Sequence, residues 1–304
     1  MIVTDAAAFR AAFDPDRLPP RGPATARAAF LVAPAADRLA TESARDNRYM
    51  DLARQPDPGQ LRAQHAELAR RLSADLPVVT FPGDPACPDG MFPNNVFATV
   101  PGRLIVGRMR HAVRRREAER ADIRGFFRTV LDYREIDLSA APFVAELTGA
   151  LCIDRARGIG YCGLSERCDL AGARAMHAAF GLRLTFAFPL AAGEYHANVV
   201  LAILAGRAAL IAPDGFAEPE DAAAIAAVYG DGAIRLDPEQ KRRFAANAIT
   251  LSGSRVWLSA AADGSLRPEQ RSRLSACGFD LAAVDLGEVE KAGGSLRCCV
   301  AEIF

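Results

Sequence analysis

The sequence predicts an α/β fold in which five ββαβ units are arranged radially about one centre. Three observations carry this expectation. A short apolar run, a tight turn, a second apolar run, an amphipathic helix and a third apolar run return in that order about every fifty residues. Half of the 304 residues are apolar, enough for a large shared core. Polar residues stand at the starts of the units at nearly constant intervals.

The clearest unit begins after Asn95. Residues 96–100 read as a strand, Pro101-Gly102 as a turn, 104–106 as a second strand, 112–130 as a helix and 131–136 as a third strand. The next has strands at 150–153 and 159–162, a helix over 165–180 and a strand at 182–186. A third has strands at 197–204 and 208–211, a helix over 219–228 and a strand at 233–236. A fourth has strands at 248–251 and 256–258, a helix over 267–276 and a strand at 279–284. The fifth is split. Its strand at 29–32, helix at 61–72 and strand at 78–81 come first, and its last strand is 300–304. A five-fold arrangement completed in this way leaves few exposed strand edges. Residues 1–27, with four prolines between 14 and 23, read as an extended lead-in, and 28–304 as one domain.

Several function classes are excluded by composition. Lys plus Arg and Asp plus Glu are each 37, so nothing in the charge balance favours nucleic acid or anionic membrane. The basic run Arg114-Arg115-Arg116 lies among glutamates and reads as a solvated helix face. No secretory signal stands at the start, and the most apolar stretch, 199–212, is interrupted by Gly206 and Arg207. The expectation is a cytoplasmic protein without membrane association. Self-association is left open. Seven cysteines without a Cys-x-x-Cys pair favour neither a disulfide framework nor structural zinc. His65, His111 and His177 lie in charged or Ala-rich helical contexts and are expected to face solvent.

The constellation lies in the unit starts. Asn95, Glu146, His196, Asn247 and Cys298 follow one another at 51, 50, 51 and 51 residues. Equal spacing in a radial fold places them at equivalent inner positions, so residues remote in sequence meet in one pocket. Alone, each has an ordinary structural explanation: a packed thiol, a core histidine, a surface carboxylate, two turn asparagines. Together they form a reactive set. A thiolate is a nucleophile, an imidazole delivers and removes protons, and a carboxylate accepts N–H bonds from a planar nitrogen-rich group. Gly293-Gly294, just upstream of Cys298, allows close backbone approach.

The segments MFPNNVFATV (91–100), ELTGALCIDR (146–155), YCGLSERCD (161–169), EYHANVVL (194–201) and GGSLRCCVAEIF (293–304) resemble the pentein, or guanidino-group-modifying, superfamily, and within it the arginine-deiminase-related group that includes citrulline-utilisation hydrolases. The resemblance implies a five-bladed α/β propeller with a central active site; a covalent route requires no cofactor, and without a His-x-His or Glu-His cluster no metal site is expected. It implies Cys298 as the nucleophile that becomes bonded to the substrate carbon and His196 as general acid and base. It implies Glu146 as the carboxylate on the substrate nitrogens. Asn95 and Asn198 fall where arginine-processing members usually carry Asp. Asn247 completes the binding set, and Arg297 is a candidate for a substrate carboxylate. An amide both donates to a carbonyl and accepts from nitrogen, so the two asparagines favour a neutral ureido substrate such as citrulline, hydrolysed to ornithine, ammonia and carbon dioxide. The alternatives are an arginine deiminase or dimethylargininase-type hydrolase, an amidinotransferase resolved by an amine, and a non-catalytic propeller like the ribosome anti-association factor.

Overall fold

A computed structural model describes residues 1–35 and 38–304 of the chain. Among the described residues the strands form five small sheets of one recurring plan. Phe97–Val100 runs antiparallel to Arg103–Val106, which pairs in parallel with Arg134–Asp137. The same order recurs in Leu151–Asp154, Ile159–Leu164 and Leu184–Pro189. It recurs again in Leu201–Leu204, Ala208–Ile211 and Ala233–Arg235, and in Ile249–Thr250, Arg255–Ser259 and Asp280–Val284. A tight turn suffices for each antiparallel pair, whereas each parallel pair requires a crossover, which the helices supply.

The fifth sheet joins parts of the chain far apart in sequence. Ala301–Ile303 lies antiparallel to Ala28–Val32, which is parallel to Val78–Phe81. The crossover helices carry ordinary punctuation. Pro58–Leu72 opens with Asp57, whose side chain accepts from the Gln60 amide, and with a proline in its first turn. Leu170–Phe180 opens with Asp169 bonded to the Gly172 amide and ends at Gly181 in the left-handed region, φ 63°.

Each unit start is a tight turn, in most cases a single helical turn that continues into the first strand. Pro93–Asn95, Leu147–Ala150, Ala197–Val200 and Leu296–Cys299 are such turns. Where unbroken strands were expected at 150–153 and 197–204, the backbone first coils once and then extends. A chain of side-chain and backbone hydrogen bonds links the turns. Thr148 Oγ1 donates to the Asn94 carbonyl (3.0 Å), Asn198 Nδ2 to the Thr148 carbonyl (3.1 Å) and Asn247 Nδ2 to the Asn198 carbonyl (2.8 Å). The Arg297 amide donates to the Asn247 carbonyl (3.3 Å). Leu296–Cys299 in turn packs on Pro93–Asn95. The equivalent positions are therefore 94, 148, 198, 247 and 297. Equal spacing in sequence approximated this set without matching it. Glu146 and His196 stand two residues before their linking positions, and Asn95 and Cys298 one after.

Two further expectations differ from the structure. The first residues are not an extended lead-in. Ile2–Val3 adds a parallel strand beside Leu184–Pro189, and the helix Ala6–Ala12 buries Phe9 against Phe186, ring centroids 4.8 Å apart. Its Ala-rich composition hid an amphipathic turn whose one large apolar residue fills the core. The helix expected over 112–130 is three pieces, Ala112–Arg115, Arg116–Glu119 and Ala121–Thr129. The break turns Arg114 and Glu117 into the interior, where they pair.

Candidate active site

The turns bring Cys298, Asn247, Asn198, Asn95, His196 and Glu146 into one buried region. Cys298 is held at two atoms by one amide. Asn247 Nδ2 donates to its Sγ at 3.3 Å, and Asn247 Oδ1 accepts from its backbone N–H at 3.4 Å. Asn198 Oδ1 stands 3.9 Å from the same sulfur. Burial pushes the thiol above its ordinary pKa, while the Ser295 backbone, the Asn247 amide and the cations of Arg297 and Arg114 pull the other way.

His196 is fully buried, and its Nε2 meets Glu146 Oε2 at 2.9 Å. Burial lowers the imidazole pKa despite that carboxylate, so the ring is neutral near pH 7. With Glu146 accepting from Nε2–H, the lone pair lies on Nδ1. Nδ1 has no hydrogen-bond partner among the described residues, and neither does Asn95 Oδ1. Both atoms converge. A Cβ added to Gly149 would fall 2.5 Å from Asn95 Oδ1 and 2.8 Å from His196 Nδ1, so only glycine leaves them room.

Glu146 is committed to the protein. Oε1 accepts from the Arg110 amide at 3.1 Å, and Oε2 from Arg167 Nη1 at 3.2 Å and from His196. Burial alone would raise its pKa, but Arg167 and His196 hold it well below the usual carboxylate range. Arg167 is itself anchored, donating through Nε to Asp46 and through Nη2 to the Ser43 carbonyl, both at 3.0 Å. Glu146 thus orients His196, and its expected place on the substrate nitrogens is not where its oxygens are spent.

A pocket with about 280 Å³ of atom-free space opens beside these groups, lined in part by Asp89, Asn95, Arg114, Arg167, Tyr195 and Cys298. Asp89 accepts from Ser43 Oγ, and burial raises its pKa although Arg114 lies nearby. Arg114 donates to Glu117 at 2.7 and 2.8 Å and to the Phe92 carbonyl at 3.1 Å. Burial pushes the Glu117 pKa up to about 7 against the pull of Arg114. The segment bearing Ser43 and Asn47 covers the pocket, and Asn47 Nδ2 donates to the Gly293 carbonyl at 3.1 Å. Gly293 has φ 74°, and a Cβ there would meet Asn47 at 2.4 Å.

Several sequence expectations are corrected here. Arg297 lies outside the pocket of Cys298. Its guanidinium donates to Glu302 at 2.9 Å and to the Val300 carbonyl, because Arg297, whose amide links to the neighbouring turn, and Cys298 after it leave the turn on different sides. Asn198 and Asn247 spend their amides on the neighbouring turns and the sulfur, leaving Asn95 as the asparagine with an uncommitted oxygen in the pocket. Arg114 belongs to no solvated face, being 3% exposed. His65 and His111 are buried, the latter 3.0 Å from Asp46, and His177 bonds Thr185 at 2.8 Å. Sequence reasoning missed Asp89, Arg167 and the inward turn of Arg114. The Arg114/Glu117 spacing of three was the one available signal.

The match to a known family over most of the chain makes this a pentein-type enzyme, a hydrolase of the guanidino-modifying class. The family model described as N,N dimethylarginine dimethylhydrolase, eukaryotic, matches residues 34–304, and the chain belongs to that family. It is 26% identical over 239 residues to the uncharacterized protein YkgA of Bacillus subtilis strain 168, covering 78% of this chain and 77% of the other. The fold is also that of the N-terminal domain of ArgZ, an arginine dihydrolase from the ornithine–ammonia cycle in cyanobacteria, crystallised with substrate. That comparison has a TM-score of 0.78 at 16% identity and covers 91% of this chain and 97% of the other. A dimethylarginine dimethylaminohydrolase adduct with S-methyl-L-thiocitrulline superposes with a TM-score of 0.71 at 23% identity, covering 92% of this chain and 100% of the other. Among the described residues no helix is long and apolar enough to cross a membrane.

Proposed function

We propose that the chain is a five-bladed α/β propeller that hydrolyses a guanidino C–N bond of an arginine-like amino acid through a Cys298 adduct. One observation carries the substrate class: the buried carboxylate of Asp89 shares the pocket with Cys298 and with the uncommitted Asn95 oxygen. Two acceptors suit a planar cation that offers only N–H donors. A cation beside the sulfur also offsets the burial that raises the Cys298 thiol, so substrate itself promotes the thiolate. The likeness to ArgZ, named an arginine dihydrolase, supports the same class.

In this mechanism the thiolate adds to the central carbon. His196, held through Nε2 by Glu146, takes the Cys298 proton on Nδ1 as the thiolate forms and passes it to the departing ammonia or amine. The same nitrogen then takes a proton from water, which attacks the carbon and releases the thiolate. Arginine plus water yields citrulline and ammonia. A second reading keeps citrulline itself as substrate, and Asn95 favours it, because its amide accepts from nitrogen and donates to a ureido oxygen. Citrulline plus water yields ornithine, ammonia and carbon dioxide. A reducing, cytoplasmic setting suits the seven free thiols.

The test is an ammonia and amine release assay over arginine, ω-methylated arginines and citrulline, with products identified by mass spectrometry. Turnover of a guanidino compound is expected, together with a mass adduct on Cys298 that Cys298→Ala abolishes. Release from citrulline alone moves the assignment to the ureido reading, and full turnover by Cys298→Ala removes the nucleophile. Transfer to an added amine in place of hydrolysis indicates an amidinotransferase.

A further inference from the structure

Arg297 faces a second cavity, on the far side of the turn from the sulfur. About 480 Å³ of atom-free space, partly open to solvent, lies there, lined in part by Thr148, Cys152, Arg155, Asn198, Arg297 and Glu302. Its charge is unbalanced, because two guanidinium groups share one carboxylate. Glu302 Oε2 stands 2.9 Å from Arg297 Nη2 and 3.9 Å from Arg155 Nη2. Arg297 spends a further donor on the Val300 carbonyl. Arg155 does less. Its guanidinium lies 4.2 Å from the centre of the Phe304 ring and 5.3 Å from that of Phe180, and donates to the Thr99 carbonyl at 3.1 Å. Among the described residues that is its one hydrogen bond, although a guanidinium carries five N–H donors. The side chain is 11% exposed, so water compensates little. Burial pulls its pKa down to about 10 against the attraction of Glu302.

We propose that this cavity binds a small monovalent oxyanion of the carboxylate type, held between Arg155 and Arg297. The two-oxygen edge of such an anion matches the paired N–H groups of a guanidinium, and its single charge matches the single unbalanced cation. The site also borders the nucleophile. Asn198 lines the cavity and has its Oδ1 3.9 Å from Cys298 Sγ. Arg297 adjoins Cys298 in the chain, and its cation favours the thiolate. An anion on Arg297 cancels that pull and makes the thiolate harder to form. This consequence rests on the nucleophile assigned above; the binding itself does not.

Formate is the probe, at constant ionic strength set with the salt of a bulky sulfonate buffer. The wild-type Tm rises saturably with formate, and Arg155→Met loses the rise. Glu302→Gln, which frees both guanidinium groups, binds formate roughly tenfold more tightly. Saturating formate slows iodoacetamide alkylation of Cys298 at pH 8 several-fold in the wild type and leaves Arg155→Met unchanged. Equal Tm shifts in the wild type and Arg155→Met, or no saturable shift, overturn the site. Should Arg155→Met not fold, unchanged or weaker affinity in Glu302→Gln overturns it alone. Tighter binding of sulfate than of formate overturns the monovalent assignment. Saturable binding with unchanged alkylation overturns the link to Cys298 and leaves the site standing.

Discussion

At Cys298 two influences oppose one another: burial, which favours the neutral thiol, and the Asn247 amide with nearby cations, which favours the thiolate. Burial prevails, so the free protein holds a thiol near pH 7. Its alkylation rate is expected to climb with pH beyond the range of an ordinary cysteine and to rise at fixed pH when a guanidinium ligand is present. A rate already level at pH 7 without ligand contradicts this balance. His65 shows the same physics on a base. Burial without a partner for Nε2 lowers its pKa to about 4, against about 6.5 in an unfolded chain. Between those values the unfolded chain binds the proton and the folded one does not, so stability falls as pH drops from about 6.5 toward 4. His65→Leu is expected to remove roughly 2 kcal/mol of this loss at pH 5, read from urea unfolding against pH. An unchanged slope places the acid sensitivity elsewhere.

The one-turn helices at the unit starts set where each functional atom lies. Leu147–Ala150 brings Gly149 against the His196 ring and Asn95, which leaves no space for a methyl group. Gly149→Ala is therefore expected to displace the imidazole and cost about 100-fold in kcat while circular dichroism stays native. Wild-type turnover in that variant shows that the ring tolerates the shift. These same turns explain what the sequence disclosed. That Cys298, His196, Glu146, Asn95 and Asn247 share one buried region was legible because a recurring strand–helix unit returns similar positions at similar intervals. The details were not legible, because the bonds that define equivalence run through Thr148, Asn198, Asn247 and Arg297, one or two residues away. Asp89 lies in a Pro-Asp-Gly sequence that reads as a plain turn, and Arg114 in a basic run that reads as solvated. Only the packing of distant units onto these segments buries them. Arg297 misled for the complementary reason, since adjacency to Cys298 in sequence does not keep two side chains on one side of a turn.

Across the molecule, four units were legible with strand order intact, since each has its own hairpin and crossover helix. The N-terminal segment was not, because its strand is two residues long and its helix has one large apolar side chain. That side chain matters. Phe9 is 1% exposed and stacks on Phe186, and Phe9→Ala is expected to cost about 3–5 kcal/mol in denaturant unfolding. A loss below about 1 kcal/mol means that the segment is peripheral to the cooperative unit. The fifth sheet carries a consequence for biosynthesis. Phe30 pairs with Ala301, so this strand keeps an open hydrogen-bonding edge until residue 301 has been synthesised. Cys298 stands three residues before that pairing partner, so it is synthesised after the other four units. A ribosome-bound chain shorter than 298 residues therefore lacks both the partner of Ala28–Val32 and the proposed nucleophile.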